Sequence, residues 1–258
     1  MVPRVVGSSP IVHPKAPRLS GGLFFGLQHW CLQLVNVFSM SAEPAQRYAS
    51  PILTILVLAY IAGLIGLQVP VVAGYFKSLT AINLVATLAV LLYFHTDWRP
   101  SFYFYMALAI LTGFFVEVLG VHTGSVFGGP YAYGAGLGPT VWGVPPVIGI
   151  NWLLLTYCFG SLADRLPLPI YMKAILAATG MVLLDFLIEP VAIRLDFWTW
   201  FGRSVPLQNY LGWWLVALVL LSVWYGLPFR KENRAVTLII SLQTFFFAGH
   251  NLLYYLHN

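Results

Sequence analysis

Seven stretches of this sequence are apolar over about the length that a helix needs to cross a bilayer, and they constrain the fold more than any other feature. They cover residues 50–69, 76–94, 102–119, 144–163, 168–188, 211–227 and 235–256. Only 8% of the chain is charged, whereas soluble domains carry roughly 25% charged residues. Because a backbone in lipid must satisfy its own hydrogen bonds, each stretch is expected to form a helix. The sequence therefore predicts an all-α polytopic membrane bundle with about seven transmembrane helices.

Residues 1–48 precede these stretches and are predicted to be an N-terminal extension, with residues 49–258 as a single transmembrane domain. Residues 1–19 are polar and proline-rich, which is typical of disorder. Residues 21–40 are apolar but interrupted by polar side chains, so they indicate either an interfacial helix or a poor span. Met40 opens a sequence that reads as a start in its own right, so the extension is expected to be dispensable.

Lysine and arginine in the loops predict the orientation, because cytoplasmic loops carry the excess of these residues. With the N-terminus in the cytoplasm, ten of the 13 Lys and Arg residues lie inside, and Lys77, Arg194 and Arg203 lie outside. An eighth span through residues 21–40 would reduce this split to seven against six. We therefore expect seven spans and a cytoplasmic N-terminus. The net charge of +5 fits loops that touch anionic lipid and gives no reason to expect nucleic acid as a partner.

Three carboxylates are predicted to converge at one end of the bundle. Alternating span directions bring Glu117, Asp185 and Glu189 to a similar depth, together with Asn151 and His250 from two other spans. A charged side chain at the bilayer centre costs at least ~2.5 kcal/mol, so three of them indicate a function. Asp185 and Glu189 are spaced i, i+4 on one helix face, and two adjacent carboxylates in a low dielectric cannot both ionise cheaply. One of them is expected to stay protonated; the alternative is a set of structural acids that cap helices.

A glycine-rich loop within residues 117–145 brings aromatic side chains to the same end. Its glycines permit close approach of the backbone, so the loop is expected to close over a ligand. Aromatic rings at this level could form an interfacial belt, or they could bind a conjugated hydrocarbon and stabilise a cation. The predicted substrate-binding residues are Phe127, Tyr131, Tyr133, Trp142, Asn151, Trp198, Trp200, Asn209, Trp213 and His250.

Other chemistries lack the residues that they require. The sequence has no P-loop and no serine elbow, and the glycines at residues 134–138 follow no predicted strand and precede no acidic ribose ligand. The six histidines lack the paired spacing of a di-iron site, and the two cysteines form no metal-binding pair. We therefore expect acid–base chemistry on a lipid-soluble substrate, with no cofactor and no metal.

Three separated blocks of the sequence resemble the CruF-type carotenoid biosynthesis proteins of bacteria and archaea. The first block is Glu117…Gly120…Gly124…Phe127-Gly128…Tyr131-Ala132-Tyr133…Leu137-Gly138-Pro139…Gly143-Val144-Pro145. The second is Asp185…Glu189-Pro190-Val191-Ala192…Trp198-Thr199-Trp200. The third is Val205-Pro206-Leu207-Gln208-Asn209-Tyr210…Gly212-Trp213-Trp214. The resemblance covers about residues 50–256, and Glu189 stands where the family pattern has Asp.

The resemblance implies a carotenoid hydratase of the bacterial inner membrane. Such enzymes add water across the terminal C1=C2 double bond of an acyclic ψ-end, as in γ-carotene, lycopene or bisanhydrobacterioruberin, and they need no redox cofactor. Membrane lipid would surround the protein, and other enzymes of carotenoid synthesis are its expected partners. A carotenoid cyclase or isomerase with the same proton donor, and a non-catalytic carotenoid-binding protein, remain as alternatives.

The roles of the three acids are predicted from their depth and not from the resemblance. Protonation of C2 leaves a tertiary cation at C1 that water traps, which requires an acid, a stabilising environment and a base. Asp185 lies one turn, about 5.4 Å, deeper than Glu189, which is expected to be reached by water beside Pro190 near the helix end. We therefore expect Asp185 to be the general acid, Glu189 its neighbour, and Glu117 the group that stabilises the cation or orients water.

Overall fold

A computed structural model describes residues 50–202 and 204–256 of the chain. Eight α-helices make up most of these residues, and they are α1 (Ser50–Gly66), α2 (Pro70–Ser78), α3 (Thr80–Tyr93), α4 (Pro100–Thr123), α5 (Val147–Asp164), α6 (Ile170–Arg194), α7 (Leu207–Gly226) and α8 (Val236–Leu256). Two short strands, β1 (Tyr131–Tyr133) and β2 (Trp198–Trp200), and a 3-10 helix (Ala135–Leu137) complete the described elements. The predicted all-α class is confirmed, and the extension predicted for residues 1–48 lies outside the described residues.

Five helices, α4 to α8, are long and apolar enough to cross a membrane, which marks the chain as an integral membrane protein. Helices α2 and α3 meet the same criterion only as a pair that is bent by 51°, and α1 is a shorter apolar helix. The stretch predicted at residues 76–94 contains the end of α2 and all of α3. Helix α2 begins before the predicted stretch, because Pro70 fits the first helical turn, where its missing N–H is not needed. The count of seven spans and the cytoplasmic N-terminus stay predictions.

Helix α5 occupies the middle of the bundle and packs against α3, α4, α6, α7 and α8. Glycine allows α4 and α5 to cross closely. A Cβ atom on Gly113 would lie 2.3 Å from Cγ of Trp152, and one on Gly149 would lie 2.6 Å from the Ile110 carbonyl oxygen. This crossing places the fully buried indole of Trp152 beside the second half of α4.

The two strands pair antiparallel and connect the α4–α5 loop to the loop after α6. Tyr131 lies opposite Trp200, and Tyr133 lies opposite Trp198. Because side chains alternate along a strand, these four rings share one face of the ribbon. That face is directed toward the ends of α4 and α6, as the hydrogen bonds described below show.

Candidate active site

Glu117 lies near the end of α4 and accepts hydrogen bonds only from neutral groups. Its Oε2 atom accepts from the hydroxyls of Tyr131 at 2.8 Å and Tyr133 at 2.9 Å, and Oε1 accepts from the indole of Trp152 at 3.3 Å. Burial raises the pKa of both tyrosine hydroxyls, and the neighbouring Glu117 raises it further. Both phenols therefore stay protonated and can serve as donors to the carboxylate.

Glu189, near the end of α6, is held in the same way by the second strand. Its Oε2 atom accepts hydrogen bonds from the indoles of Trp198 at 2.9 Å and Trp200 at 3.2 Å. Its Oε1 atom accepts from the side-chain amide of Asn209 on α7 at 3.0 Å. The tyrosines of β1 thus position one glutamate and the tryptophans of β2 position the other, so the ribbon joins two acids that are distant in sequence.

Asp185 lies one turn before Glu189 and shares its amide donor. The Asn209 Nδ2 atom donates to Oδ2 of Asp185 at 3.2 Å as well as to Glu189. The other oxygen, Oδ1, is buried and has no hydrogen-bond partner among the described residues. The two acids of α6 therefore form one unit through Asn209, in which Asp185 receives the fewest hydrogen bonds.

None of these three carboxylates is paired with a cation in the part of the chain that the structure describes. The nearest salt bridge along the chain joins Lys77 to Asp196 at 3.0 Å, and both of its side chains are partly exposed. The described residues also contain no group of three or more His, Cys, Asp or Glu side chains suited to a metal ion. Buried carboxylates without a cation are costly, and here only Tyr, Trp and Asn groups stabilise them.

A small cavity of about 30 Å³ lies between the carboxylates of Glu117 and Glu189. Its wall is formed by Glu117, Tyr131, Tyr133, Ile148, Asn151, Ile188, Glu189, Trp198, Trp200, Asn209 and Trp213. The ring of Trp213 stacks on Trp152 at 4.3 Å between centroids, which fixes one aromatic wall. We call this cavity with its lining residues the acid pocket.

A second cavity of about 370 Å³ adjoins the acid pocket and is almost entirely apolar. Four residues line both cavities, namely Ile148, Asn151, Ile188 and Trp198. The remaining wall comes mainly from α1, from the α2–α3 pair and from α8. We call this second cavity the apolar chamber.

The structure brings seven of the ten predicted substrate-binding residues into the wall of the acid pocket. Phe127 is buried behind that wall, where its ring packs against Tyr131. Trp142 is 62% exposed and packs on Phe115, because the tight turn at residues 141–144 directs its ring outward. The Nδ1 atom of His250 forms a hydrogen bond of 2.6 Å with the side-chain amide of Gln68. These three residues do not line the acid pocket.

Glu189 is more enclosed than was expected for a residue beside Pro190, whereas the difference in depth between the two acids of α6 stays a prediction. Helix α6 continues through Pro190 to Arg194, and the indoles of β2 cover Glu189. As a result Glu189 is only 3% exposed, against 1% for Asp185. Glu189 lines the acid pocket, and Asp185 is not among the residues of its wall.

Sequence reasoning missed the polar residues of the apolar chamber. Tyr60, Asn83 and Gln243 all line it, and Tyr60 is 3.3 Å from the hydroxyl of Thr87. The signals available were two amides within apolar stretches, Asn83 in residues 76–94 and Gln243 in residues 235–256.

Fold and site together define a polytopic helical membrane protein that encloses an acidic, aromatic pocket next to an apolar chamber. The family described as "Carotenoid biosynthesis protein" matches residues 76–257, and the chain belongs to that family. A comparison with curated proteins and a comparison with solved structures each found no match. The predicted resemblance is thus confirmed at the level of a role in carotenoid biosynthesis.

Proposed function

We propose that this protein is a carotenoid hydratase, which adds water across the terminal C1=C2 double bond of an acyclic ψ-end. The observation that carries this proposal is the acid pocket itself. Its buried carboxylates have only neutral hydrogen-bond partners among the described residues and face a small cavity. Such groups can hold a proton at neutral pH in a site closed to bulk water, which carbocation chemistry requires.

The hydrogen bonds support an assignment of that proton. Glu117 accepts three and so does Glu189, whereas Asp185 accepts one. Hydrogen bonds to a carboxylate favour its charged form, so Asp185 is the acid of the three that is best suited to stay protonated. Because Asp185 and Glu189 share the Asn209 amide, we assign the proton to this pair and its delivery to the pocket to Glu189.

Proton transfer from the pair to C2 converts the double bond into a single bond and leaves a tertiary cation at C1. The ionised carboxylates and the faces of Trp198, Trp200 and Trp213 would stabilise this cation at close range. Water then forms the new C–O bond and releases one proton. Glu117 accepts that proton, and its return to the α6 pair restores the starting state.

The attacking water has a suitable site beside Asn151. This side chain lies where the acid pocket meets the apolar chamber, and it makes no hydrogen bond to any other described residue. A cavity of about 30 Å³ can hold a water molecule. We assign Asn151 to orient that water toward C1, with Glu117 as the base.

Co-expression with lycopene or γ-carotene synthesis tests the proposal. The expected pigment is heavier than its precursor by one water molecule per reacting end. A cyclised pigment of unchanged mass would indicate a carotenoid cyclase, and an unchanged pigment that co-purifies with the protein would indicate a binding protein. Either result, with confirmed membrane insertion, would overturn the hydratase assignment.

A further inference from the structure

The apolar chamber adjoins the acid pocket. Ile148 and Ile188 form the shared wall on two sides, and Asn151 and Trp198 complete it. A molecule whose end group occupies the acid pocket would therefore reach the chamber past these four side chains. The chamber is about twelve times larger than the pocket, from 370 and 30 Å³, so most of an enclosed ligand would lie there.

The chamber also reaches the outer surface of the bundle. Ala59 and Ala62 on α1 line it and are exposed, and so are Leu79 and Ile82 on the opposite side. Leu79 is the residue at which α2 and α3 are bent apart by 51°. The chamber therefore opens sideways, between α1 and the α2–α3 bend.

Side chains around this opening are suited to lipid and not to water. Leu58 on α1 is 58% exposed and Val85 on α3 is 48% exposed, and neither lines the chamber. Inside, the chamber presents aromatic rings, including Phe246, which packs edge-on against Tyr60. Rings of this kind offer flat, polarisable surface to a conjugated hydrocarbon.

We propose that the apolar chamber binds the polyene chain of the carotenoid next to its reacting end, and that the opening between α1 and the α2–α3 bend admits it from the bilayer. This inference rests on the proposed function only in placing the reacting end of the carotenoid in the acid pocket. It commits to a polyene because the chamber is apolar, larger than the acid pocket and next to it. The rest of the molecule stays in lipid.

One consequence concerns carotenoids with two ψ-ends. The acid pocket and chamber receive a single end, so a singly hydrated molecule must leave through the opening and reverse before its second end reacts. We therefore expect the mono-alcohol to accumulate early in a time course with lycopene. A di-alcohol that forms without a free mono-alcohol would contradict a single sideways opening.

Photo-cross-linking tests the chamber without relying on turnover. A photoreactive benzoylphenylalanine replaces Ile82, which lines the opening, or Val85, which faces lipid on the same helix. After illumination with lycopene in liposomes, we expect the coloured pigment to be attached covalently at position 82 and not at position 85. Equal labelling at both positions, lipid adducts alone, or attachment to residues 1–49 of the same chain would overturn the proposal.

A matched pair of substitutions completes the test. Ala62→Trp fills the opening, whereas Leu58→Trp places the same indole on the lipid-facing side of α1. We expect Ala62→Trp to lose pigment cross-linking and most hydration, and Leu58→Trp to retain both. Cross-linking at position 82 without any hydration would support pigment binding in the chamber and overturn the hydratase assignment. Normal hydration by Ala62→Trp would overturn the proposed entry route and support the hydratase assignment.

Discussion

The two ends of this helix bundle treat charge in opposite ways. At the acidic end, defined by Glu117, Asp185 and Glu189, three carboxylates are buried with neutral partners. At the basic end, defined by Asp164, Arg165 and Lys173, charged groups are partly exposed and paired. Lys173 contacts Asp164 at 3.1 Å, and Arg165 donates to Thr237 at 2.8 Å and to the Asn233 carbonyl at 3.2 Å.

At the basic end, side-chain hydrogen bonds hold neighbouring segments of the chain together. Tyr157 on α5 lies 2.7 Å from the ring of His95 and accepts from the Asn233 amide at 3.0 Å. Asn233 in turn donates to the Leu91 carbonyl at 2.8 Å. These side chains join α5 to the segment after α3 and to the loop before α8. These bonds satisfy groups that the helix ends leave free, which is a structural role.

The contrast teaches that the partners of a charge separate the two ends as clearly as its burial does. A charge that is paired with an opposite charge or with free carbonyls stabilises the loops around it. Carboxylates that are buried together without a cation oppose folding, because desolvation and mutual repulsion are not offset by a counter-charge. Among the residues that the structure describes, only the acidic end shows this pattern, so it is the end where substitutions should separate activity from stability.

The largest effect is expected from the acids of α6. Asp185→Asn and Glu189→Gln keep shape but remove the pair that holds the proton, and turnover should fall by roughly 10²–10⁴-fold, the range of general acids. Asp164→Asn is the matched control at the basic end and should leave turnover close to normal. Hydration assays on purified protein in liposomes measure all three. If both α6 variants hydrate normally while Glu117→Gln is inactive, the donor is Glu117.

A smaller effect is expected from the tyrosine that orients Glu117. Tyr133→Phe removes one of its three hydrogen bonds, and a bond to a charged group is worth about 1.5–3 kcal/mol. Turnover should therefore fall about tenfold or more, with little loss of folded protein. Tyr157→Phe at the basic end should do the reverse, lowering thermal stability and leaving turnover unchanged. Equal effects of the two changes on turnover would remove the distinction between the ends.

The loop over the acidic end allows a finer comparison between two glycines. Both have positive φ, 84° at Gly128 and 88° at Gly138. A Cβ atom at Gly128 would lie 2.5 Å from Cβ of Gln208, next to Asn209, whereas one at Gly138 would meet no atom within 4 Å. Gly128→Ala should thus reduce turnover several-fold by displacing the start of α7, while Gly138→Ala adds only ~1–2 kcal/mol of backbone strain. Equal turnover in the two variants would show that the loop does not position Asn209.

No effect on turnover is expected from removal of residues 1–39. The family match begins at residue 76, and every residue of the acid pocket lies within residues 117–213. A chain that starts at Met40 should insert and hydrate like the full chain. Normal insertion with lost hydration would show that the extension contributes to the site.

The sequence alone was sufficient to bring the three acids together. Their positions near the ends of two apolar stretches, combined with alternating span direction, place Glu117 and Glu189 at one level. The sequence could not show which groups donate hydrogen bonds to the acids. Tyr131 and Trp200 are 69 positions apart in the chain and pair only after both loops fold back. The burial of Glu189 was missed for the same reason, since the covering indoles belong to a strand that follows the helix.

His250 and the α2–α3 bend show a second limit of sequence reasoning. A histidine at the right depth was expected in the site, but rotation about α8 directs it to Gln68, 182 positions earlier in the chain. The stretch at residues 76–94 is mainly apolar and contains no proline or glycine that would indicate the break at Leu79. Both features depend on tertiary contacts that local sequence does not reveal.

The most direct test of the central claim is hydration of lycopene by the purified protein in water labelled with heavy oxygen. The account predicts a product that carries one labelled oxygen at C1 per reacted end, formed without any added cofactor. Asp185→Asn should form almost none of it, and Asp164→Asn should form it at a normal rate. An unlabelled alcohol, a cyclised product of unchanged mass, or unaltered lycopene with correctly inserted protein would contradict the account.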